Sequence, residues 1–462
     1  MALSDIQTIV FCMMENRSFD HALGWLKMDK VLDVEGLGDA AWRGKWTNVA
    51  GGKDYPLHEL SLADPVDDPP HGEEAIATQI ALPAKGAKKM GGFVQAYFDA
   101  KAKNKRPAPT PEAVMGYYRS AALPTYDFFA RNYCVCDHWF APLPLGTQAN
   151  RLMAMAGESK VADNELGLPY QRLVYDWLKG NGVKWRAYQS GGYFPFFALM
   201  DRQAFAILGS LVGNGPFRRY TKFREDWLDD SKAIRPVVFI EPEYSDGPHS
   251  RANDDHPPTS IADGQEFLRD LYETLIANPK RWARTLLIVT YDEHGGFFDH
   301  VEPIPVPGKA KDRTYETTGL RVPAFLISPW VKAGSVYSKA LDHTSFLALL
   351  AEKFTPGHGY SVAVNDRQAH LDGRISDALA ATPRTGDPPP MPPVEVKGLG
   401  AAPAFAAAGA PQAPDTPNAV AFDRLAARVK AERPDLLGHP EMADLRRYMR
   451  QAPPPVPAEK DP

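Results

Sequence analysis

Cysteine is scarce in this chain: Cys12, Cys134 and Cys136 are the only three in 462 residues. So few, and an odd number, cannot build a disulfide framework. Cys134 and Cys136 lie two apart on an expected strand and so share a face, but two thiols make an incomplete metal site. They are read as small buried hydrophobes. No apolar run is long enough to cross a bilayer. The opening stretch MALSDIQTIVFCMM has no basic segment and no cleavage signal after an apolar run, so it reads as a core strand. Cytoplasmic residence and export by a route not visible in the sequence both stay open, as does peripheral contact with a membrane. A basic excess is also missing. The formal net charge is −5, which argues against a general nucleic-acid binder.

What is present is an ordinary globular composition, 44% hydrophobic and 24% charged. Length alone suggests two or three domains, or one α/β domain with large insertions. Apolar runs at 8–13 (TIVFCM), 236–240 (PVVFI), 285–290 (TLLIVT) and 322–328 (VPAFLIS) suit strands buried on both faces. Helical patterns at 264–276 and 345–353 alternate with them. The expected fold is therefore a three-layer α/β sandwich around a largely parallel sheet. Residues 27–125 and 157–235 are too long for simple loops and read as insertions that cap the active site. Residues 381–462 read as a Pro/Ala-rich extension. It comprises an extended segment at 382–417, a helix at 418–433 with Phe422, Leu425 and Val429 on one face, and a disordered tail, QAPPPVPAEKDP.

Ligands of a parallel sheet lie beyond the carboxyl ends of its strands. Glu15-Asn16 follows the first strand, with Ser18 or Asp20 able to cap a helix through 21–26. Asp292-Glu293, followed by Gly295-Gly296, comes after the 285–290 strand. Adjacent carboxylates at a buried strand end repel each other unless a cation neutralises them, and the glycine pair allows a sharp turn or a close backbone approach. Glu15, Asn16, Asp292 and Glu293 are hard oxygen donors. They favour Mg²⁺, Ca²⁺ or Mn²⁺, with Zn²⁺ admissible. Thr147, after an expected strand at 133–140, places a hydroxyl at a helix start, where backbone N–H groups favour an anion. Loop histidines such as His71, His256 and His343 carry little information by themselves.

Together these segments resemble the bacterial phospholipase C and acid phosphatase family of phosphoesterases, within the alkaline-phosphatase-like superfamily. The resemblance rests on ENRSFDH (15–21), DPPHGEE (68–74), MGYYRSAALPTYDFFARNYCVCDHWF (115–140), GTQANR (146–151), NDDHPP (253–258), YDEHGGFFDHV (291–301), GLRVPAFLISPWVKAG (319–334) and DHTSFLALLAEKF (342–354), spread over residues 5–355. It implies an alkaline-phosphatase-like catalytic domain at 1–380 that uses one divalent metal. Glu15, Asn16, Asp292, Glu293 and Thr147 would hold the metal, with Thr147 also the nucleophile and His71 and His256 catalytic in the phosphate pocket. Asn150, Arg151 and Asp255 would stand nearby, with His343 structural or behind the ligands. This chain departs from the usual GPTHPNR pattern at Leu145, Gln148 and Ala149.

The implied substrate is a phospholipid-like phosphodiester or, alternatively, a phosphomonoester. Trp25, Trp42, Trp46, Tyr193, Phe194, Phe196 and Phe197 are the aromatic candidates for a cationic headgroup. A weaker reading is a metal-stabilised scaffold whose Pro-rich tail recruits a partner.

Overall fold

The apolar run at residues 8–13 becomes the centre of an eight-stranded sheet. A computed structural model describes residues 2–105, 107–191, 194–213, 215–233, 235–244, 252–392, 417–443 and 445–446. In chain order the strands are β1 (Thr8–Met14), β2 (Cys134–Cys136), β3 (Trp185–Gln189), β4 (Phe217–Arg219), β5 (Val237–Glu241), β6 (Thr285–Tyr291), β7 (Ala324–Ile327) and β8 (Ser335–Tyr337). Their spatial order is β4-β3-β5-β1-β6-β7-β2-β8. Only β7 runs antiparallel to its neighbours; all other pairs are parallel. Every residue of β1, β5, β6 and β7 is buried, as strands covered on both faces must be.

The covering helices used below are α1 (Phe19–Ala22), α2 (Pro124–Asn132), α3 (Thr147–Ala156), α4 (Ile261–Ile276), α5 (Thr344–Phe354) and α6 (Pro417–Glu432). On one face α3 packs against α5, and Phe346 of α5 stacks on Phe11 at 4.1 Å with Phe239 edge-on at 6.0 Å. On the other face α2 packs against α4, and Tyr126 and Phe129 meet Phe325 at 5.3 and 5.7 Å. The result is the expected three-layer α/β sandwich with a largely parallel sheet.

The structure departs from the sequence reading in several places. Residues 133–140 do not form one strand. After β2 the chain turns at Asp137, whose carboxylate accepts from the Glu35 N–H at 2.8 Å, and Trp139–Phe140 then pairs with Leu341–Asp342 outside the main sheet. The helix expected at 21–26 is split into α1 and Trp25–Met28. Ser18, not Asp20, caps α1 by accepting from the His21 N–H. Residues 157–235 supply β3 and β4, so this segment extends the sheet itself. Residues 27–125 carry a second apolar cluster, centred on Tyr55, Phe93 and Tyr97 and closed by Phe298 and Leu320.

All three cysteines are free and buried. No helix among the described residues is long and apolar enough to cross a membrane. In the C-terminal extension, residues 393–416 and the tail QAPPPVPAEKDP lie outside the described residues. The stretch before them lies along the α2–α4 face, where the Pro389 carbonyl accepts from Tyr272 at 2.7 Å. Helix α6 buries Phe422, Leu425 and Val429, the apolar face expected from their spacing.

Candidate active site

The register of β1 on β6 pairs Met14 with Tyr291. The next residues, Glu15 and Asp292, therefore leave the sheet side by side. The Asn16 N–H donates to Asp292 Oδ1 at 3.0 Å, and the Glu293 N–H donates to the same oxygen at 2.7 Å. Gly295 and Gly296, at φ 63° and 75°, let the second turn close on the first. A Cβ at Gly295 would come 2.1 Å from the Asn16 carbonyl, and one at Gly296 2.7 Å from Pro69 and Pro70. The glycine pair thus makes the close approach that its sequence suggested.

Thr147 is the first residue of α3, following Gly146, and is 1% exposed. Its Oγ1 donates to Asn16 Oδ1 at 3.3 Å. Helix α3 thus directs its positive end at the carboxylate cluster. Asn150 ties the preceding loop to the helix: its Nδ2 donates to the carbonyls of Leu143, Leu145 and Gly146, and its Oδ1 accepts from the Leu143 N–H. Arg151, four residues after Thr147 and so on the same helix face, places its guanidinium 3.1 Å from Glu15 Oε1 and 3.4 Å from Asp292 Oδ2. Phe196 and Tyr244 flank that guanidinium, their ring centres 4.8 and 5.0 Å away.

The charge balance is uneven. Glu15, Asp254, Asp292 and Glu293 are all at most 2% exposed. One oxygen of each accepts no hydrogen bond: Glu15 Oε1, Asp254 Oδ2, Asp292 Oδ2 and Glu293 Oε1. Burial and the neighbouring Glu15 push Asp292 up to about 7 and Asp254 well above its usual range. Burial also acts to raise Glu293, but His71 and His294 outweigh it and hold this carboxyl below its ordinary value. Burial lowers His71, yet Glu293 and Asp68 dominate and raise it to about 9.

Arg151 and a protonated His71 cannot neutralise all four acids in their ionised forms, and hard oxygen donors of this kind fit a divalent cation that would hold them ionised. Among the described residues, two groups of three bring their ligand atoms within 4.8 Å of one another: Asp68, His71 and His256, and Asp20, Asp299 and His300. Glu15, Asp292 and Glu293 do not form such a group, and Arg151 pairs with both Glu15 and Asp292.

The other expected residues lie as follows. His71 packs beside Gly146, its Nε2 3.9 Å from Glu293, and meets His256 edge-on at 6.2 Å. His343 lies behind Asp292: its Nε2 donates to the Asp292 carbonyl at 2.7 Å and its Nδ1 accepts from Trp139 at 3.0 Å. Burial pushes its imidazole down to about 4, so the neutral form does this holding. Asp255 faces away, accepting from the hydroxyls of Tyr126 and Tyr291. Its neighbour Asp254 is the acid beside Glu15, and the Asp254 carbonyl accepts from the Glu15 N–H at 2.7 Å. Sequence reading missed Asp254 and Tyr244. The double acid in NDDHPP was the available signal, but it does not tell which carboxylate turns inward.

Of the aromatic candidates, Trp25 is fully buried, and Trp42 and Trp46 pack around His300. Phe194 and Phe197 are buried. Phe196 faces Arg151, and Tyr193 lies outside the described residues.

Residues 6–355 match the Phosphoesterase family. Non-specific phospholipase C6 of Arabidopsis thaliana is 31% identical over 419 residues, 85% of this chain and 76% of that one. Non-specific phospholipase C1 of the same plant is 35% identical over 355 residues, 72% of this chain and 62% of its own length. Phospholipase C A of Mycobacterium tuberculosis is 28% identical over 438 residues, covering 82% and 77%. A solved structure from Vibrio parahaemolyticus, described as a protein in the alkaline phosphatase superfamily, overlaps 52% of this chain and 62% of its own at 14% identity and a TM-score of 0.33. That overlap is too loose to bear on the site.

Proposed function

Since this chain belongs to the Phosphoesterase family and is a hydrolase acting on ester bonds, we propose that it is a metal-dependent phospholipase C that cleaves phospholipid-like phosphodiesters with Thr147 as nucleophile. The observation that carries this reading is the set of buried oxygens without a hydrogen bond on Glu15, Asp254, Asp292 and Glu293, at strand-end turns that Asn16 links to the Thr147 hydroxyl at a helix start. Glu15, Asn16, Asp292, Glu293 and Thr147 would hold one divalent ion, with Mg²⁺, Ca²⁺ or Mn²⁺ favoured by the oxygen donors. When bound, such an ion supplies positive charge that eases loss of the Thr147 proton and polarises a phosphoryl oxygen.

The chain's own groups do the rest. Thr147 Oγ1, deprotonated to solvent, attacks phosphorus, and the bond from phosphorus to the glycerol oxygen breaks. His71, raised to about 9, carries its proton at neutral pH and delivers it, or His256 does, to the departing oxygen. Arg151 and the N–H groups at the start of α3 face the phosphoryl charge. Water then opens the phosphothreonine, restoring the hydroxyl and releasing the phosphorylated headgroup.

The test compares p-nitrophenyl phosphorylcholine with p-nitrophenyl phosphate, with and without chelator. The reading expects faster diester turnover that chelator abolishes. Turnover of the monoester alone makes the protein a phosphatase. Unchanged rates in chelator remove the metal from the reading.

A further inference from the structure

At the end of the sheet opposite Thr147, where the amino ends of β3, β5 and β6 lie, is a cavity of about 290 Å³. It is lined by five cationic side chains, Arg186, Arg218, Lys232, Arg235 and Arg281, and one acid, Asp226. We propose that this cavity binds a compact anion of the phosphate class, separately from the catalytic centre.

Asp226 already holds three of the cations. Its Oδ2 accepts from Arg186 at 2.9 Å and Arg218 at 3.0 Å, and its Oδ1 accepts from Lys232 at 2.6 Å. Tyr188 donates to the same carboxylate at 2.8 Å. One carboxylate cannot neutralise three cations, and Arg186 Nε is buried with no hydrogen-bond partner. Arg281 is anchored on three backbone carbonyls, those of Asp226, Asp229 and Lys232, which accept its protons without cancelling its charge. Outside the cavity, Asp229 is 3.8 Å from Lys232 and Asp230 is 3.9 Å from Arg281, the latter shared with Lys280. Even with these two acids included, positive charge is in excess.

Arg235 is the telling residue. Among the described residues it has no hydrogen-bond or ion-pair partner, and burial together with Arg186 and Arg218 lowers its affinity for its proton. Like charges gathered around a void are stable when an anion fills it, and planar guanidinium donors match phosphate oxygens. A free phosphate or phosphomonoester and a phosphate-bearing lipid headgroup share this chemistry.

Isothermal titration with inorganic phosphate tests the site. The wild-type protein should show a binding event that Arg235→Gln weakens by about tenfold or more, while kcat/KM on p-nitrophenyl phosphorylcholine stays unchanged. Arg235 has no partner to lose, so the variant keeps its fold, checked by an unaltered melting temperature. Lys232→Gln, half-exposed at the rim, should act in the same direction. Phosphatidylcholine vesicles with and without phosphatidic acid separate the sources: Arg235-dependent sedimentation with the acidic vesicles assigns the anion to a lipid, and its absence assigns it to a free phosphate. Phosphate isotherms identical in wild type, Arg235→Gln and Lys232→Gln, with no Arg235-dependent vesicle binding, overturn the proposal.

Discussion

Two buried charge clusters flank α1 and differ in one respect. In the first, Asp20, Asp299, His300 and Arg321 hold one another completely. Arg321 donates to Asp299 at 3.0 Å and to Asp20 at 3.2 Å, and its remaining group donates to the carbonyls of Glu35 and Asp137. His300 bridges Asp20 at 2.6 Å and Glu35 at 3.0 Å. No side-chain atom of these four is among the buried unsatisfied groups. In the second cluster Glu15, Asp254, Asp292 and Glu293 each keep an oxygen that accepts no hydrogen bond, although Arg151 lies beside two of these oxygens and His71 beside a third. Both sets are deeply buried and rich in acids, but of the two only the first includes three neighbours, Asp20, Asp299 and His300, with ligand atoms within 4.8 Å of one another. Satisfaction separates them. A completed ion network joins segments of the chain, whereas a buried network left incomplete is held ready for something else.

The largest expected effect sharpens the second half of that contrast. Thr147→Ala removes the proposed nucleophile without exposing core, so turnover should fall by on the order of 10³-fold or more, with the melting temperature nearly unchanged. Steady-state rates beside a thermal melt check both halves. Wild-type turnover in Thr147→Ala would make water the nucleophile.

The complementary change is Arg321→Ala. It strands Asp299 as a buried acid without its cation and leaves Asp20 with His300 alone, and should cost about 3–5 kcal/mol of stability, read by urea unfolding. Asp292→Asn is its counterpart in the other cluster. Relieving like-charge repulsion there should leave stability within about 1 kcal/mol of wild type while activity collapses. If Asp292→Asn unfolds the protein as Arg321→Ala does, the two clusters are of one kind.

The contrast also explains how far the sequence could be read. β1, β5, β6 and β7 were legible because strands buried on both faces are continuous apolar runs. β3 (WRAYQ), β4 (FRR) and β8 (SVY) were not, because near the sheet edges they are short, partly exposed and mixed in polarity. Glu15, Asn16, Asp292, Glu293 and Thr147 stood out since each follows a strand or opens a helix. Asp254 did not, because adjacent acids on a loop give no sign of which faces inward. The Asp20–Asp299–His300–Arg321 cluster was invisible for another reason. Its residues all fall within recognised segments, but completeness of a hydrogen-bond network depends on three-dimensional pairing across residues 20–321.

A smaller effect comes from the titration of the satisfied cluster. Burial lowers His300, but Asp20 and Glu35 outweigh it and raise the imidazole to about 9. This exceeds the unfolded value of about 6.5, so the contribution is whole below 6.5 and is lost as pH rises through 9. Unfolding free energy should therefore decline by up to roughly 3 kcal/mol between pH 6.5 and 9.5 from this group. His300→Gln should flatten that part of the profile. An unchanged slope in the variant would assign the decline to other groups.

The smallest effect asks to which region the C-terminal helix belongs. Phe422 of α6 stacks on Tyr244 at 6.0 Å and 14° and meets Phe196 edge-on at 6.5 Å. Tyr244 in turn accepts from Arg151 at 3.1 Å, and both rings flank that guanidinium. The helix is thus one residue removed from the incomplete cluster, not from the completed one. Phe422→Leu keeps most of the buried volume, costing less than about 1.5 kcal/mol. It removes the flat surface that fixes the Tyr244 ring, so Arg151 should lose orientation. The expected result is a kcat/KM reduced by about threefold, well under 1 kcal/mol of barrier, with the melting temperature shifted by only a few degrees. A change in melting temperature with kcat/KM intact would place α6 with the scaffold, and the aromatic wall of the site would then end at Tyr244.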